Sequence, residues 1–270
     1  MISKLKIELQ IRGFSERTIK SYLFHNHKFL DFIKKQPDEI TTDDIKTYMA
    51  YLIAEKKQKS TSVNLALSAL RFMYDEIMKK GLFVDIKAPK NEKKLPTVLS
   101  KQEISKMIDS LDNKKHKLLI EFLYSSGLRV SECVSLKLED LNPDEKMGIV
   151  RAGKGKKDRN IILSKRLVED LERYLKKRKD TNPYVFNTKD THISVRQAQK
   201  VVHEAAKKAN IQKRVFCHAL RSSFATHLLE NGTDIRIIQE LLGHSNIQTT
   251  ERYTKVSREQ LKKVVSPFDI

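Results

Sequence analysis

The chain has 270 residues, of which 53 are lysine or arginine and 34 are aspartate or glutamate, so its formal charge at pH 7 is +19. A charge this large disfavours acidic partners and favours a polyanion, which makes nucleic acid the expected partner. No apolar run approaches the roughly 18 residues that a membrane-spanning helix needs, and the N-terminus lacks a secretory signal pattern. We therefore expect a cytoplasmic, nucleoid-associated protein that does not contact a membrane.

Residues 1–90 are predicted to form about four helices. Leu5, Leu9, Phe29 and Phe32 belong to apolar stripes with helical spacing. Short polar residues precede these stripes at positions typical of helix N-caps. The predicted helix starts are Ser15, the run 41–44 and the run 60–62.

A change of composition follows at residues 88–97, which hold two prolines and four charged residues. Such a stretch does not form a buried element. We predict a helical domain over 1–90, a linker over 91–97 and a second domain over 98–270; the alternative is a surface loop inside one domain. The two halves have net charges of +6 and +13, so we expect both to contact the same polyanion, as a clamp around a duplex would.

The second domain is predicted to mix helices with a small sheet. Ser100 and Glu103 have the spacing of a capping box, which predicts a helix start. Residues 149–151 and 160–163 flank a glycine- and lysine-rich turn, which predicts a β-hairpin, and 184–186 has the composition of a short strand. The expected fold class is mainly α with a small β-sheet, an N-terminal helical bundle followed by an α+β domain. Further helices are predicted at about 115–125, 130–136, 164–178, 194–209, 218–231, 234–242 and 257–265.

Six side chains in the second domain suit one chemical task, which is to hold a phosphodiester while an oxygen attacks it. This attack needs positive charge near the equatorial oxygens and a proton for the leaving oxygen. Arginine meets the first need because its planar fork grips two phosphate oxygens and stays charged. The six candidates are Arg129, Lys154, His218, Arg221, His244 and Tyr253.

The predicted helices place three of these candidates for anion binding. Arg129 follows a glycine at a helix start, where free backbone amides also attract an anion. His218 and Arg221 lie three residues apart and share a helix face, while an apolar stripe from Leu220 to Leu228 can anchor that helix in the core. Taken singly, each residue has a simpler interpretation, as a surface arginine at a helix entry or as an unrelated histidine and arginine.

The predicted hairpin turn carries a run of cations. The flexible ammonium of Lys154 can reach a leaving 5′ oxygen and act as a general acid; the alternative is that it only grips the phosphate backbone. For Lys156, Lys157 and Arg159, binding to the DNA backbone is the preferred interpretation.

Tyr253 is the candidate nucleophile. A phenol has a pKa near 10, so it needs a base or cationic surroundings before it can attack, and His218 could supply the base. His244 is a candidate donor to a non-bridging phosphate oxygen. The alternatives are that Tyr253 is one of eight tyrosines and packs as an aromatic ring, and that His244 merely ends a helix.

We expect neither a metal ion nor another cofactor. The acidic residues do not cluster with histidines, and Cys217 next to His218 has no second pair at a metal-binding spacing. A cage of fixed cations is the alternative way to neutralise a phosphodiester. Cys133 and Cys217 are the two cysteines of the chain, too few for a disulfide framework, and we expect both to be reduced.

The order and spacing of these residues resemble the tyrosine recombinases of the phage-integrase class, and most closely the Xer-type members. The resemblance covers essentially the whole chain. It implies that residues 1–90 form a SAM-like core-binding domain and that 98–270 form the catalytic domain. The matching stretches are SGLRVSE (126–132), GKGKKDR (153–159), HALR (218–221) with FATHLL (224–229), LLGH (241–244), and Thr249 and Thr250 through to Tyr253.

The same resemblance implies roles for the site residues. The six candidates become five activating groups and the nucleophile Tyr253, and Glu132 becomes a supporting residue one turn after Arg129. The chain departs from the family at Ser222, where a second histidine is common, and at Cys133, where leucine is common. Neither departure removes a catalytic group. Alanine at Arg129 or at the second arginine is expected to lower cleavage by orders of magnitude with the fold intact.

The implied reaction is site-specific strand exchange between double-stranded DNA sites, without ATP or metal. A tyrosine attacks the scissile phosphate, a 3′-phosphotyrosyl bond forms, a 5′-hydroxyl leaves, and two such exchanges pass through a Holliday junction. The implied assembly is a homotetramer on two duplexes, whose C-terminal tail (257–270) is exchanged between neighbours or folds back on its own chain. The implied role is chromosome-dimer resolution. The alternatives are a mobile-element integrase or excisionase, a type IB topoisomerase-like relaxase, and a DNA-binding module without activity.

Overall fold

A computed structural model describes residues 2–90, 96–151, 158–244, 246 and 249–251 of the chain. Backbone contacts divide the chain into two compact units, residues 1–93 and 94–270. Each unit has its own hydrophobic core, so each is described by itself. The assignment of a DNA-binding role to 1–90 and of a catalytic role to 98–270 stays a prediction at this point.

Over its described residues, the N-terminal unit is a bundle of four α-helices, in agreement with the prediction of about four. The third helix continues into a wider, π-helical turn over Tyr51–Glu55, and the fourth continues in the same way over Phe72–Ile77. The four helices are α1 (Ile2–Ile11), α2 (Glu16–Ile33), α3 (Thr42–Ala50) and α4 (Ser60–Arg71).

Short polar residues set the starts of two of these helices, as predicted. The side chain of Ser15 caps α2 by accepting a hydrogen bond from the backbone N–H of Thr18 at 3.2 Å. At the start of α3, Thr41 and Asp44 form a capping box in which each side chain accepts from the backbone N–H of the other. These bonds satisfy backbone donors that have no partner inside a helix.

Aromatic side chains fill the core of the N-terminal bundle. Phe29 is fully buried and packs edge to face against Tyr48 and Tyr74, with ring centroids 5.2 and 5.9 Å apart. Leu5 and Leu9 are also fully buried. The helical spacing of apolar residues therefore identifies the core-facing side of these helices correctly.

The C-terminal unit combines seven helices, counted over the described residues, with a small sheet. The hydroxyl of Ser100 caps α5 by accepting from the backbone N–H of Glu103, and the carboxylate of Glu103 accepts from the backbone N–H of Ser100. These two bonds confirm the predicted capping box. The predicted helices between 115 and 242 are confirmed to within a few residues at their ends, while the one predicted at 257–265 lies outside the described residues. The seven helices are α5 (Lys101–Asp109), α6 (Lys114–Ser125), α7 (Val130–Val134), α8 (Lys165–Leu175), α9 (Val195–Lys208), α10 (Cys217–Glu230) and α11 (Ile235–Leu242).

The sheet contains the predicted hairpin and one further strand. The hairpin strands are antiparallel, and Val150 at the end of the first pairs with Arg159 at the start of the second. The additional strand was not predicted because two residues cannot show an alternating pattern. In the order β1–β2–β3, the strands are Leu141–Asn142, Met147–Val150 and Arg159–Ile162.

The prediction of a strand at 184–186 is wrong. Tyr184 forms an isolated antiparallel bridge with Lys137, and Asn187 forms another with His192. An apolar triplet has the composition of a strand, but a strand needs a neighbour that stays in register over several residues. The segment instead passes through the core, with Val185 fully buried.

Helix α10 lies inside the C-terminal unit, since 11 of its 14 residues are buried. Leu220 and Phe224 of the predicted apolar stripe are buried, and Leu228 is partly buried. The hydroxyl of Ser223 accepts a hydrogen bond from the backbone N–H of Leu99 at 2.8 Å. The helix is thus held from several sides and offers a rigid support for polar groups that project from it.

Candidate active site

Arg129 is fixed at the start of helix α7. It occupies the N-cap position, and the carboxylate of Glu132 accepts hydrogen bonds both from its backbone N–H at 2.8 Å and from its guanidinium at 2.7 Å. The side chain of Arg129 remains 23% exposed. A charged group that is held in place and still reaches the surface can meet an anion without further ordering.

Glu132 connects two arginines. Its buried carboxylate accepts from Arg129 and also from both terminal nitrogens of Arg159, at 2.9 and 2.6 Å. Burial alone would raise the pKa of this carboxyl, but the hydrogen bonds and charges of Arg159 and Arg129 outweigh burial and lower it. Glu132 therefore stays ionised, and it holds both guanidiniums as a supporting residue would.

The predicted role of Arg159 in binding the DNA backbone does not fit this environment. Its side chain is only 6% exposed, and its guanidinium faces Glu132 and the carbonyl oxygen of Leu241. The sequence places Arg159 beside exposed-looking lysines, and a lysine-rich turn is normally solvated. The side chain turns inward because a carboxylate 27 residues upstream in the chain offers it a two-oxygen partner.

Helix α10 presents His218 and Arg221 from neighbouring turns. Arg221 is 1% exposed, and its terminal nitrogens donate to the carbonyl oxygens of Gly127 at 2.6 Å and of Leu242 at 2.5 Å. His218 lies in the first turn of the helix and is exposed. The arginine is therefore part of the packing of the site, whereas the histidine is open to a substrate.

His244 follows Gly243, the residue that caps the C-terminal end of α11 in the left-handed conformation (φ +61°). The Nε2 atom of His244 lies 3.1 Å from the guanidinium of Arg221, and Nδ1 lies 2.9 Å from the hydroxyl of Thr250. Burial, followed by the positive charges of Arg221 and Arg129, lowers the pKa of His244 to about 3. The imidazole is therefore neutral at physiological pH.

The partners of His244 also determine its tautomer. Arg221 has only N–H groups to offer, so Nε2 is the acceptor, and Nδ1 carries the ring proton and donates to Thr250. For His244 to donate to a phosphate oxygen, as the sequence predicts, the proton has to move to Nε2 while Arg221 turns to the phosphate.

The structure brings together most of the predicted site residues that it describes. Arg129 and Arg221 each donate to a backbone carbonyl at the C-terminal end of α11, and His244 contacts Arg221. Lys154, Lys156, Lys157 and the predicted nucleophile lie outside the described residues. The last of these is Tyr253, two positions after the described Glu251.

Thr250 is a site residue that the sequence interpretation missed. It is 1% exposed and its hydroxyl partners Nδ1 of His244. A buried hydroxyl needs a hydrogen-bond partner, so a threonine a few residues after a candidate histidine is a signal for such a pair. The signal is weak by itself, because threonine is also common at helix starts.

Substitution of Gly127, next to the site, tests how tightly the backbone packs against helix α10. Gly127 has φ +58°, and a Cβ built on it would lie 2.4 Å from the ring of Phe224. Gly127→Ala is therefore expected to lower the free energy of unfolding by about 2–5 kcal/mol, through backbone strain and overpacking. Chemical denaturation measures this loss.

Gly232→Ala is the matched control. Gly232 also has positive φ (+85°), but a Cβ there would meet nothing within 4 Å. This variant should lose only about 1 kcal/mol, the cost of the strained backbone alone. Equal losses in the two variants would contradict the close contact between Gly127 and Phe224.

The described part of the chain contains no group of three or more histidine, cysteine, aspartate or glutamate residues that could hold a metal ion. Among the same residues, no helix is long and apolar enough to cross a membrane. Cys133 and Cys217 are both buried and free.

Two sequence families match the chain, one in each unit. Residues 97–260 match the phage integrase family, and residues 1–82 match the N-terminal SAM-like domain of phage integrases. Together the two matches cover most of the chain. The SAM-like match agrees with the N-terminal helical bundle, and the integrase match spans Arg129, Arg221 and His244.

Individual relatives agree with these matches. The chain is 40% identical to the tyrosine recombinase XerA of Pyrococcus horikoshii, over 95% of this chain and 89% of the relative. It is 37% identical to the tyrosine recombinase XerD of Listeria innocua, over 95% of this chain and 94% of the relative.

A solved structure shows the same fold. The XerH site-specific recombinase, crystallised with its palindromic difH substrate as a post-cleavage complex, superimposes with a TM-score of 0.77 over 100% of this chain and 85% of the XerH chain. The two sequences are 22% identical, so this likeness concerns the fold. Taken with the closer sequence relatives and the two family matches, it leads to one conclusion: the chain belongs to the phage integrase family and is a Xer-type tyrosine recombinase, a site-specific DNA recombinase.

Proposed function

We propose that the chain breaks and rejoins DNA through a 3′-phosphotyrosyl intermediate with Tyr253 as the nucleophile. The phenolic oxygen of Tyr253 forms a bond to the scissile phosphorus while the bond from phosphorus to the 5′ oxygen breaks. His218 takes the phenolic proton, and Lys154 gives a proton to the leaving 5′ oxygen. The hydroxyl of a partner strand then reverses the step, so the phosphodiester is restored without ATP.

The positively charged groups of the site stabilise the charge of the transition state. Arg129 and Arg221 neutralise the non-bridging oxygens, where negative charge builds up in the transition state. His244 donates to one of these oxygens once its proton lies on Nε2. Arg129 is already oriented by Glu132 and needs little reorganisation during the reaction. Arg221 turns from its backbone carbonyl partners toward the phosphate.

One observation carries this proposal: two guanidiniums and a neutral imidazole meet at the end of α11. Arg129 and Arg221 bond to successive carbonyl oxygens there, and His244 is the next residue of the chain. Three cationic or donor groups at one point, one of them oriented by the buried carboxylate of Glu132, match the needs of a phosphate in attack. If Arg129 only formed a structural ion pair with Glu132, its side chain would not need to remain partly exposed.

A basic groove beside this point supports DNA as the substrate. It has a volume of about 630 Å³, and both Val130 of α7 and His218 of α10 line it. Phe216, 43% exposed, also lines the groove. The remaining basic lining residues are His203, Lys207, Lys213 and Arg214. Such a groove suits a phosphate backbone.

We further propose the assembly and the biological role. Residues 1–90 and 98–270, joined by the linker 91–97, bind opposite sides of a duplex, and four copies act on two recombination sites with exchange of the tail 257–270. The role is chromosome-dimer resolution, in keeping with the XerA and XerD relatives. Lys156 and Lys157 bind the DNA backbone near the site.

Capture of covalent adducts from fragmented genomic DNA tests the function. The chain is incubated with the fragments in EDTA, adducts are isolated under denaturing conditions, and the attached 3′ ends are sequenced. We expect protein joined to 3′ ends at one chromosomal locus. Ends of a mobile element would select an integrase role instead. Adducts without site preference, together with relaxation of any supercoiled plasmid by a monomer, would select a type IB topoisomerase-like relaxase.

A further inference from the structure

The C-terminal end of α11 gathers arginines from three different elements. Its last carbonyl oxygens lack partners inside the helix and lie at the negative end of the helix dipole, so they favour cations. Each of three successive oxygens accepts a hydrogen bond from a different guanidinium. The pairs are Leu241 with Arg159 at 2.9 Å, Leu242 with Arg221 at 2.5 Å, and Gly243 with Arg129 at 3.1 Å.

Two of these arginines belong to the proposed reaction, but Arg159 is different. It comes from strand β3 and its side chain is 6% exposed, against 23% for Arg129. Its two terminal nitrogens each donate to a different oxygen of Glu132, at 2.9 and 2.6 Å. A fork that is closed on a buried carboxylate in this way is not presented to a phosphate.

The charges around Glu132 show what Arg159 supplies. Glu132 also accepts from Arg129, and a carboxylate paired with Arg129 alone would cancel the charge that an incoming phosphate needs. Arg159 adds a second positive charge, so the three side chains carry a net charge of +1. Arg129 can therefore be oriented by Glu132 and still attract an anion at its exposed edge.

Arg159 also packs against the turn that leads to His244. A Cβ built on Gly243 would lie 2.8 Å from Cδ of Arg159 and 3.3 Å from its Nε. Gly243 has φ +61°, so both its conformation and its surroundings exclude a side chain. The stem of Arg159 thus holds the residue directly before His244.

We propose that Arg159 is a positioning residue for catalysis: it neutralises and orients Glu132, which aims Arg129, and it fixes the α11 turn from which His244 starts. This inference rests on the proposed function, because Arg129 and His244 must act on the phosphate for their positions to matter. It replaces binding of the DNA backbone as the role of Arg159.

The test separates DNA binding from cleavage. Arg159→Gln and Arg159→Lys are compared with the unaltered chain on a nicked suicide substrate that carries the recombination site. The dissociation constant for DNA and the single-turnover cleavage rate at saturating protein are measured separately. We expect Arg159→Gln to bind DNA within about twofold of the unaltered chain and to cleave roughly 100-fold more slowly, as misplaced catalytic groups do.

Arg159→Lys keeps the charge but cannot donate to both carboxylate oxygens and to Leu241 at once. It should recover part of the rate, to about tenfold below the unaltered chain. This variant also keeps the test decisive if Arg159→Gln does not fold.

Arg178 offers a matched control. Its side chain is also 6% exposed, and it donates to a carboxylate, Asp180, and to the carbonyl oxygens of Asn182 and Tyr184. The hydrogen bonds of Arg178 lie away from the site. Arg178→Gln should lower the melting temperature as Arg159→Gln does, but it should cleave at the normal rate at a temperature where both variants are folded.

Four results would overturn the inference. Weaker DNA binding by Arg159→Gln with normal cleavage at saturation would restore the backbone-binding role. Equal losses of cleavage in the Arg159→Gln and Arg178→Gln variants would leave only a structural role. If the unaltered chain formed no adduct at all, the proposed function would fail and this inference with it, whereas normal cleavage by Arg159→Gln would remove this inference alone.

Discussion

Tyr253→Phe is expected to bind the recombination site as tightly as the unaltered chain and to form no covalent adduct. The change removes one oxygen atom, which is the atom proposed to attack phosphorus, and it keeps the aromatic ring. Loss of a nucleophile lowers cleavage by roughly 10⁴-fold or more, while groups that stabilise charge leave some rate behind. A suicide substrate, analysed on a denaturing gel for the slower protein–DNA band, measures this loss.

The same change at another tyrosine of the C-terminal unit controls for general effects of removing a hydroxyl. Tyr184 is partly buried, and its ring packs edge to face on His192 with centroids 4.9 Å apart. Tyr184→Phe keeps this ring contact, so adduct formation should stay near normal. An adduct that persists in Tyr253→Phe would show that another residue attacks the phosphate.

The helices of this fold could be predicted because their signals are local. The side chains of Ser15, Thr41 and Ser100 each cap a helix by accepting a hydrogen bond from the backbone N–H three residues further along. An apolar stripe indicates the buried face of the same helix. Two features of the strands escaped prediction for different reasons. Strand β1 pairs with the nearby β2, but two residues are too few to show an alternating pattern. The isolated bridge at Tyr184 depends on Lys137, a distant residue that the sequence around Tyr184 does not indicate.

Some residues of the site could likewise be identified from the sequence, whereas others could not. The order of Arg129, Arg221 and His244 in the chain resembles a known family, so the sequence identifies them without knowledge of their contacts. Arg159 is different, since it follows the lysine pair at 156 and 157 in the sequence, whereas its actual partner, Glu132, lies on another element. The sequence shows which side chains are charged. Only the fold decides whether a charged side chain contacts solvent, DNA or a buried carboxylate.

Burial changes one expectation about the second arginine. From sequence, Arg221→Ala should lower cleavage with the fold intact. In the structure, Arg221 is 1% exposed and joins the carbonyl oxygens of Gly127 and Leu242. Its removal leaves two carbonyl oxygens without these donors and opens a cavity around α10. A loss of stability is therefore expected in addition to the loss of activity.

Arg221→Ala should lower the free energy of unfolding by about 2–5 kcal/mol, the range for breaking a buried polar network. Cleavage, measured at a temperature where the variant is folded, should fall by about 10²–10³-fold or more, since a fixed transition-state charge is lost. Arg221→Lys keeps a positive charge but not the fork that spans Gly127 and Leu242, so it should recover stability better than rate.

Comparison with Arg129→Ala separates the loss of stability from the loss of activity. Arg129 is 23% exposed and Arg221 is 1% exposed, so alanine at Arg129 should reduce cleavage to a similar degree with a smaller loss of stability. Denaturation curves and single-turnover rates for both variants test this difference. Near-normal cleavage in either one would remove that arginine from the reaction, because a guanidinium that stabilises the transition state cannot be dispensable while Tyr253 still attacks the same phosphate.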